Sequence, residues 1–397
     1  MTGAARRVAI AVHAVFPGDP RVRRQSDALL ETGYAVDILC LRGPGEPAEE
    51  TDGGRRIIRL PINRSFVGFA GHLAEYVAFT AIVAWRLARE HRRRRYDLVQ
   101  IATVPDFLAF AALPEKLGGV PLLLDLHEDM PEFFRDRFRH PLLKPLLPLV
   151  TGASRAAAAL PDHLITVHEP LRELPIRRGM PPDRISVVMN SADGRLFDPA
   201  RFERRSFMAD GRLRIIHHSN LQRLYGLDVA IAGLARLRAG LDWSLDVYGD
   251  GPWRPAIEAA IARTGTGDRV KLHGRVPMDD LPALLADADL GLVPSLPEPY
   301  LEYSLSTKLL EYAAMGVPII ASDLATFRHH FSDEAIRFVP GGDPVALARA
   351  VEALVDDLAA AVALGREAQR QAAAYDWEVQ KGTYVSIVDR LIAGASR

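Results

Sequence analysis

Along the first half of the chain, short apolar runs rich in β-branched residues alternate with longer stretches whose apolar residues recur at helical spacing. That alternation predicts parallel strands joined by crossover helices. Strands are expected at Arg7 to His13, Tyr34 to Leu41, Asp97 to Ala102, Pro121 to Leu126, His163 to Val167 and Ile185 to Met189, with a helix over Arg21 to Thr32 stopped by Gly33. A charged stretch, FDPARFERRSFMADGR, has no apolar period and reads as a linker. The alternation then restarts, with strands expected at Leu213 to His217, Ser244 to Tyr248, Val270 to Leu272, Leu290 to Val293 and Val317 to Ala321. Two doubly wound, Rossmann-like α/β domains follow, over residues 1–200 and 201–377, with a last helix over Val379 to Ile392. Ligands of such sheets bind outside the carboxyl ends of the strands, so the cleft between the two domains is the expected site.

A length of 397 residues agrees with two cores rather than one. Its 49 basic and 50 acidic residues leave a formal charge of -1, which argues against a general nucleic-acid binder. The single cysteine, Cys40, sits in the apolar run YAVDILCL and has no internal disulfide partner, so a reducing compartment is expected. The apolar run before Pro17 is short for a signal peptide and reads as the first strand. The most apolar long stretch, Phe66 to Leu87, is interrupted by His72, Glu75 and Arg86, so no membrane span is expected. A cytoplasmic protein is the natural assignment.

The densest chemistry lies in PSLPEPYLEYSLSTKLLEYAAMGVPIIASD, Pro294 to Asp323, which reads as a polar loop, a short helix, a glycine stop and a buried strand. Leu305, Leu309 and Tyr312 fall on one helical face, and Ser304, Lys308 and Glu311 on another. A helix starting near Leu305, with Ser306 and Thr307 in its first turn, would offer free N–H groups and a positive dipole end to a phosphate. Lys308 would add a cation one turn inside, and Glu311 a carboxylate suited to the vicinal diol of a ribose.

The loop, the KLLEY helix and GVPIIAS resemble the donor-site segment of the retaining glycosyltransferases of family 4, which have the GT-B fold. Other motifs follow in the same order: FPGDPRVRRQSDALLETGYAV resembles the family's opening loop and helix, NSADGRLFDP its lead into the linker, and VYGDGPWRPAIE and VKLHGRVPMDDLPALLADADLGLVPS successive motifs of the second domain. The resemblance implies a GT-B fold whose C-terminal helix, 378–397, crosses back to the first domain. It implies retaining transfer of a hexosyl or amino-sugar unit from a UDP- or GDP-linked donor to an acceptor hydroxyl. The turn around Gly249 becomes part of the donor site, Arg275 and Val276 contact the base, and Glu311 binds the ribose. In LLLDLHEDMPEFF, the resemblance places His127 by the donor sugar, with Glu128 and Asp129 as weaker candidates for acceptor or sugar contacts.

Two departures stand out. Members of the family usually carry a glycine–arginine pair and a later lysine where this chain has Ser219, Asn220 and Tyr225. Arg223 lies between them and is the expected substitute cation, its planar fork being able to grip two phosphate oxygens. The family's first motif glutamate, seven residues before Glu311, is replaced by Ser304, with Glu298 and Glu302 nearby but out of register. No cluster has metal-ligand spacing, so the reaction is expected to need no metal and no cofactor, with Arg223, Lys308 and helix N–H groups stabilising the leaving diphosphate. The adjacent His217 and His218 should point to opposite faces of a strand.

In the first domain, Gly18, Asp19 and Arg21 follow the first strand, and Asp106 follows the third; all are candidate acceptor contacts. A turn or N-cap role explains Asp19 and Asp106 equally well. Two segments, HLAEYVAFTAIVAWRLAREHRRRRYD and FRDRFRHPLLKPLLPLV, combine apolar and basic residues and suit either a core helix and a packed loop or a contact with the inner face of an anionic membrane. The partners expected are thus a nucleotide sugar and a sugar, lipid-linked or small-molecule acceptor. Two other readings stay open: a nucleotide-sugar-binding partner that has lost catalysis, and a sugar-nucleotide epimerase on the same fold.

Overall fold

A computed structural model describes residues 5–62, 68–138 and 140–395, so Phe66 and Val67 of the apolar stretch and Arg139 of the second basic segment lie outside the described residues. The chain divides into two compact units, Met1–Asn190 with Gln380–Arg397, and Ser191–Val379. The sequence had suggested 200/201 for the division, but Phe197 is buried in the second unit's core, with Leu196 and Phe202 packed on it. Apolar contact thus assigns the stretch after Asn190 to the second unit.

The strands of the first unit are β1 (Arg7–Val15), β2 (Ala35–Leu41), β3 (Glu49–Asp52), β4 (Arg55–Leu60), β5 (Leu98–Ala102), β6 (Leu122–Leu126), β7 (His163–Thr166) and β8 (Ile185–Val187). They form one sheet in the order β3-β4-β2-β1-β5-β6-β7-β8, parallel except for the β3/β4 pair. The chain builds outward from β1 in one direction and then restarts at β5 on its other side. Loops at the carboxyl ends of β1 and β5 therefore splay apart there, which is where doubly wound sheets bind ligands.

Strands β3 and β4 were not expected from sequence, because EETD has no apolar residue and RRIIRL begins with two arginines. The arginines are accommodated by pairing: Arg59 meets Glu46 at 2.9 Å and Glu50 at 2.7 Å, and Arg56 meets Glu90 at 2.6 Å. Glu90 comes from the long helix Gly68–Arg93, which buries Phe79, Val83 and Leu87 in the first unit's core. That helix leaves Leu73, Val77 and Trp85 exposed. Among the described residues, no helix is long and apolar enough to cross a membrane.

In the second unit, β9 (Leu213–His218), β10 (Trp243–Tyr248), β11 (Val270–Gly274), β12 (Leu290–Val293), β13 (Ile319–Ser322) and β14 (Arg337–Val339) form a parallel sheet in the order β11-β10-β9-β12-β13-β14. Here the reversal lies between β9 and β12. The short β14 has one buried residue, Val339, and gives no apolar run to read. The last helix, Trp377–Ala395, belongs to the first unit from Gln380 onward. Gln380 accepts a hydrogen bond from the Met189 N–H at 2.9 Å, Lys381 pairs with Glu31 at 2.6 Å, and Tyr384 is fully buried.

Candidate functional site

In the second unit, the polar loop after β12 runs through the 3-10 turn Pro299–Tyr303 into the helix Thr307–Ala314. The helix begins two residues later than expected. Ser304 and Leu305 precede it, Ser304 being extended, so Ser304 does not share a helical face with Lys308 and Glu311. Ser306 is the N-cap residue, and its hydroxyl accepts from the Lys308 ammonium at 3.1 Å instead of from the helix backbone. Val317 likewise precedes the strand, which starts at Ile319 after Pro318.

Lys308 and Glu311 are three residues apart on the helix and both are buried. The Lys308 ammonium lies 4.3 Å from the centroid of the Tyr225 ring, a cation–π contact. Burial pushes the Lys308 pKa down to about 8, and the charge of Glu311 only partly opposes this. Glu311 is held from the other side by His218, whose Nε2 lies 2.6 Å from Oε2. Tyr312 packs edge-on against the His218 ring and accepts a hydrogen bond from the His218 N–H.

The two adjacent histidines do diverge. His217 is fully buried, bonded to the Leu292 carbonyl at 3.0 Å and the Ser219 hydroxyl at 2.8 Å. Burial, with the nearby Lys308 charge, pushes its pKa down to about 3, so it stays neutral. Arg223 occupies the 3-10 turn Arg223–Tyr225 after β9 and is ion-paired with Glu298 of the β12 loop. Glu298 thus holds the Arg223 guanidinium.

Gly249 and Gly251 follow β10 and bring its loop against the β9 loop. A Cβ at Gly249, whose φ is +132°, would stand 1.8 Å from the Ser219 carbonyl oxygen, and one at Gly251 would stand 2.4 Å from that of Leu221. No side chain fits either place. Beside them a cavity of about 330 Å³ is lined by His218, Asn220, Tyr248, Gly249, Arg275 and Val276 among others. His218 therefore faces the cavity that gathers Gly249, Arg275 and Val276 and also contacts Glu311. Nothing in the sequence around His218 marks this role beyond its place in a strand.

In the first unit, Asp19 caps the helix Pro20–Glu31, accepting from the N–H groups of Arg21 and Val22. It also accepts the guanidinium fork of Arg21, at 3.0 Å from Nε and 2.6 Å from Nη2. Burial would raise the Asp19 pKa, but Arg21 outweighs it and holds the carboxyl below the usual range, with a smaller contribution from His127. Gly18 is confined, since a Cβ there would lie 3.0 Å from the Val15 carbonyl oxygen. Arg21 in turn feels the charges of Asp125 and Glu128. Gly18, Asp19, Arg21, His127 and Glu128 thus form one neighbourhood at the carboxyl ends of β1 and β6.

His127 follows β6 and is almost enclosed: Nε2 lies 2.6 Å from Asp125 Oδ1, and Nδ1 lies 3.4 Å from the Asn190 amide nitrogen. Asp125 was missed, although a carboxylate within LLLDL was a signal that a buried strand carries a polar task. Asp106 is not in this group. It is buried, accepts from the Ser154 hydroxyl at 2.6 Å, and lines a cavity of about 270 Å³ with Leu124, Leu126, Asp129 and Arg178. Leu124 and Leu126 alternate along β6 with Asp125, so this cavity lies on the sheet face opposite to the one that Asp125 serves. Asp129, which caps the helix Met130–Arg137, is ion-paired with Arg178. Among the described residues, no group of three or more His, Cys, Asp or Glu side chains is placed to hold a metal ion.

Two family descriptions match the chain in tandem: a glycosyl transferase 4-like domain over residues 18–191 and glycosyl transferases group 1 over residues 212–357. A similar relative is the 2-deoxystreptamine glucosyltransferase of Streptomyces kanamyceticus, 27% identical over 87% of this chain and 92% of its own length. Among solved structures, the sucrose-phosphate synthase of Thermosynechococcus elongatus superposes with a TM-score of 0.78 at 20% identity, covering 98% of this chain and all of that one. The Anabaena protein HepE in complex with UDP-glucose superposes with a TM-score of 0.71 at 17% identity, covering 97% of this chain and 99% of that one.

Proposed function

We propose, from the premise that this chain is a glycosyltransferase of the GT-B fold resembling family 4, that its second unit binds a UDP- or GDP-linked sugar and that the sugar is passed with retained anomeric configuration to an acceptor hydroxyl. The observation that carries the donor reading is the cluster Lys308, Glu311 and His218 at the reversal between β9 and β12, beside the cavity of Gly249, Arg275 and Val276. UDP-glucose bound by a protein of the same fold supports a nucleotide sugar as the ligand.

Lys308, Arg223 and the free N–H groups at the start of the helix Thr307–Ala314 supply positive charge to a diphosphate, with no metal required in this reading. Each charge-assisted hydrogen bond contributes roughly 1.5–3 kcal/mol. Glu311, fixed by His218, accepts from the ribose hydroxyls, and Arg275 and Val276 meet the base. His127 positions the sugar, and the group around Gly18, Asp19, Arg21 and Glu128 takes the acceptor. The C1–O bond to the diphosphate breaks as the acceptor oxygen attacks from the same face. The departing phosphate oxygen takes the acceptor proton, so nucleoside diphosphate and glycoside are the two products.

The test is release of nucleoside diphosphate from UDP-glucose, UDP-N-acetylglucosamine and GDP-mannose across a panel of hydroxylated acceptors, with the anomeric configuration of the product read by NMR. An acceptor-dependent release, with a new C1–O bond in the product of the same axial configuration as the one broken in the donor, supports the reading. Tight binding with no transfer to any acceptor would favour a partner protein without catalysis, and conversion of the donor sugar alone would favour an epimerase.

A further inference from the structure

We infer that Asp125, Gln25, Gln100 and Tyr384 form a positioning chain that fixes the tautomer and orientation of the His127 imidazole; its bearing on transfer rests on the role proposed above for His127. The four side chains are joined end to end. Tyr384 donates to Gln100 Oε1 at 2.6 Å, Gln100 Nε2 donates to Gln25 Oε1 at 2.8 Å, and Gln25 Nε2 donates to Asp125 Oδ2 at 2.8 Å. The other Asp125 oxygen lies 2.6 Å from His127 Nε2. None of the four is more than 4% exposed.

The direction of the chain follows from chemistry. An ionised carboxylate can only accept, so Gln25 must turn its NH₂ toward Asp125 and its carbonyl toward Gln100. Gln100 must then present its NH₂ to Gln25 and its carbonyl to the Tyr384 hydroxyl. The three hydrogen bonds run in one sense only, and the far end of that sense is a carboxylate whose second oxygen lies 2.6 Å from His127 Nε2, a separation that favours a proton on that nitrogen. The Nδ1 lone pair is thereby left to accept from the Asn190 amide. A carboxylate behind an imidazole also favours the ring when positive charge develops nearby.

Stability alone does not call for this arrangement. Gln100 stands in the middle of β5 and Asp125 in β6, both otherwise apolar, and buried polar sets are often no more stabilising than apolar side chains of the same volume. The chain also crosses the unit, from the C-terminal helix that carries Tyr384, through β5 and the helix Pro20–Glu31, to the carboxyl end of β6.

The experiment is a long-range 1H–15N correlation spectrum of the histidine rings of the full chain, with the His127 signals assigned by their loss in His127→Gln. It needs no substrate. Wild type should show the Nε2-protonated tautomer. Asp125→Asn should move His127 to the other tautomer or to a mixture, Gln25→Met should keep the Nε2 proton but shift its signal because the carboxylate loses its anchor, and each should lower kcat for nucleotide release at least tenfold with donor KM within twofold. Asp125→Ala, which removes the acceptor outright, carries the same tautomer readout should Asp125→Asn fail to fold. An unchanged His127 tautomer in every folded variant would overturn the inference and leave the four residues a structural set. A shifted tautomer with unchanged kcat would uphold the chain and refute the role of His127 in transfer.

Discussion

Glu311 and His218 meet at 2.6 Å, the carboxylate coming from the helix after β12 and the imidazole from the end of β9. The pair bridges the two strands at which the second sheet reverses its order. A carboxylate fixed in this way has an oxygen oriented before any ligand arrives, which limits the entropy lost on binding. Glu311→Ala and Lys308→Ala should each weaken UDP or GDP binding at least tenfold by calorimetry, with unchanged circular dichroism. Glu311→Ala should in addition bind UDP and its 2′,3′-dideoxy analogue alike, since the diol contact is then absent.

Burial of Lys308 has opposite consequences for stability and for binding. Folding lowers its pKa from 10.5 to about 8, so the unfolded chain binds more protons between those values. The contribution of this group to stability therefore rises with pH across that window. Diphosphate affinity should instead fall as pH rises through about 8, because the ammonium that meets the phosphates is being lost. Titrations at pH 7 and 9 check this, and Lys308→Arg should flatten the profile.

Asp106 gives a second pH effect, in the first unit. Burial raises its carboxyl from 3.8 to about 7, with the Ser154 hydrogen bond opposing. The folded state thus binds more protons between those values, and the contribution to stability declines as pH rises from about 4 to 7. Asp106→Asn keeps the shape without the charge and should lessen this decline, raising the melting temperature more at pH 8 than at pH 5.

Gly249→Ala tests the close approach of the loops after β9 and β10. The φ of +132° alone costs a side chain about 1–3 kcal/mol. Contact with the Ser219 carbonyl adds to it, so the melting temperature should drop by several degrees. Nucleotide affinity should fall with it, as the loop carrying Asn220 lines the same cavity.

The strands that the sequence made legible are those buried on both faces, such as LLLDL of β6 and LGLV of β12, because an apolar run needs no partner to be recognised. β4 was hidden because the carboxylates that neutralise Arg56 and Arg59 lie on other elements, Glu90 being more than thirty residues away. The same limit applies to the site. Lys308 and Glu311 were readable from helical spacing and family resemblance, whereas the helix start was misplaced because Ser304 and Leu305 follow a 3-10 turn that ends in extended backbone. The contact of Glu311 with His218 and the ion pair of Arg223 with Glu298 join segments 93 and 75 residues apart, and no local pattern encodes them. Gln25, Gln100 and Asp125 did leave a trace as polar residues among buried ones. Their connection to one another is a property of the sheet order.

The most direct measurement is a calorimetric titration of the wild-type protein with UDP, GDP and dTDP, each with and without EDTA. At least one nucleotide, UDP or GDP, should bind saturably, with an affinity that EDTA leaves unchanged. At a hundredfold excess over Kd, that ligand should also stabilise the fold by about 2.7 kcal/mol. Absence of binding by all three would contradict a donor site in the second unit, because Ser304, Asn220 and Tyr225 would then have removed what Lys308, Arg223 and Glu311 supply.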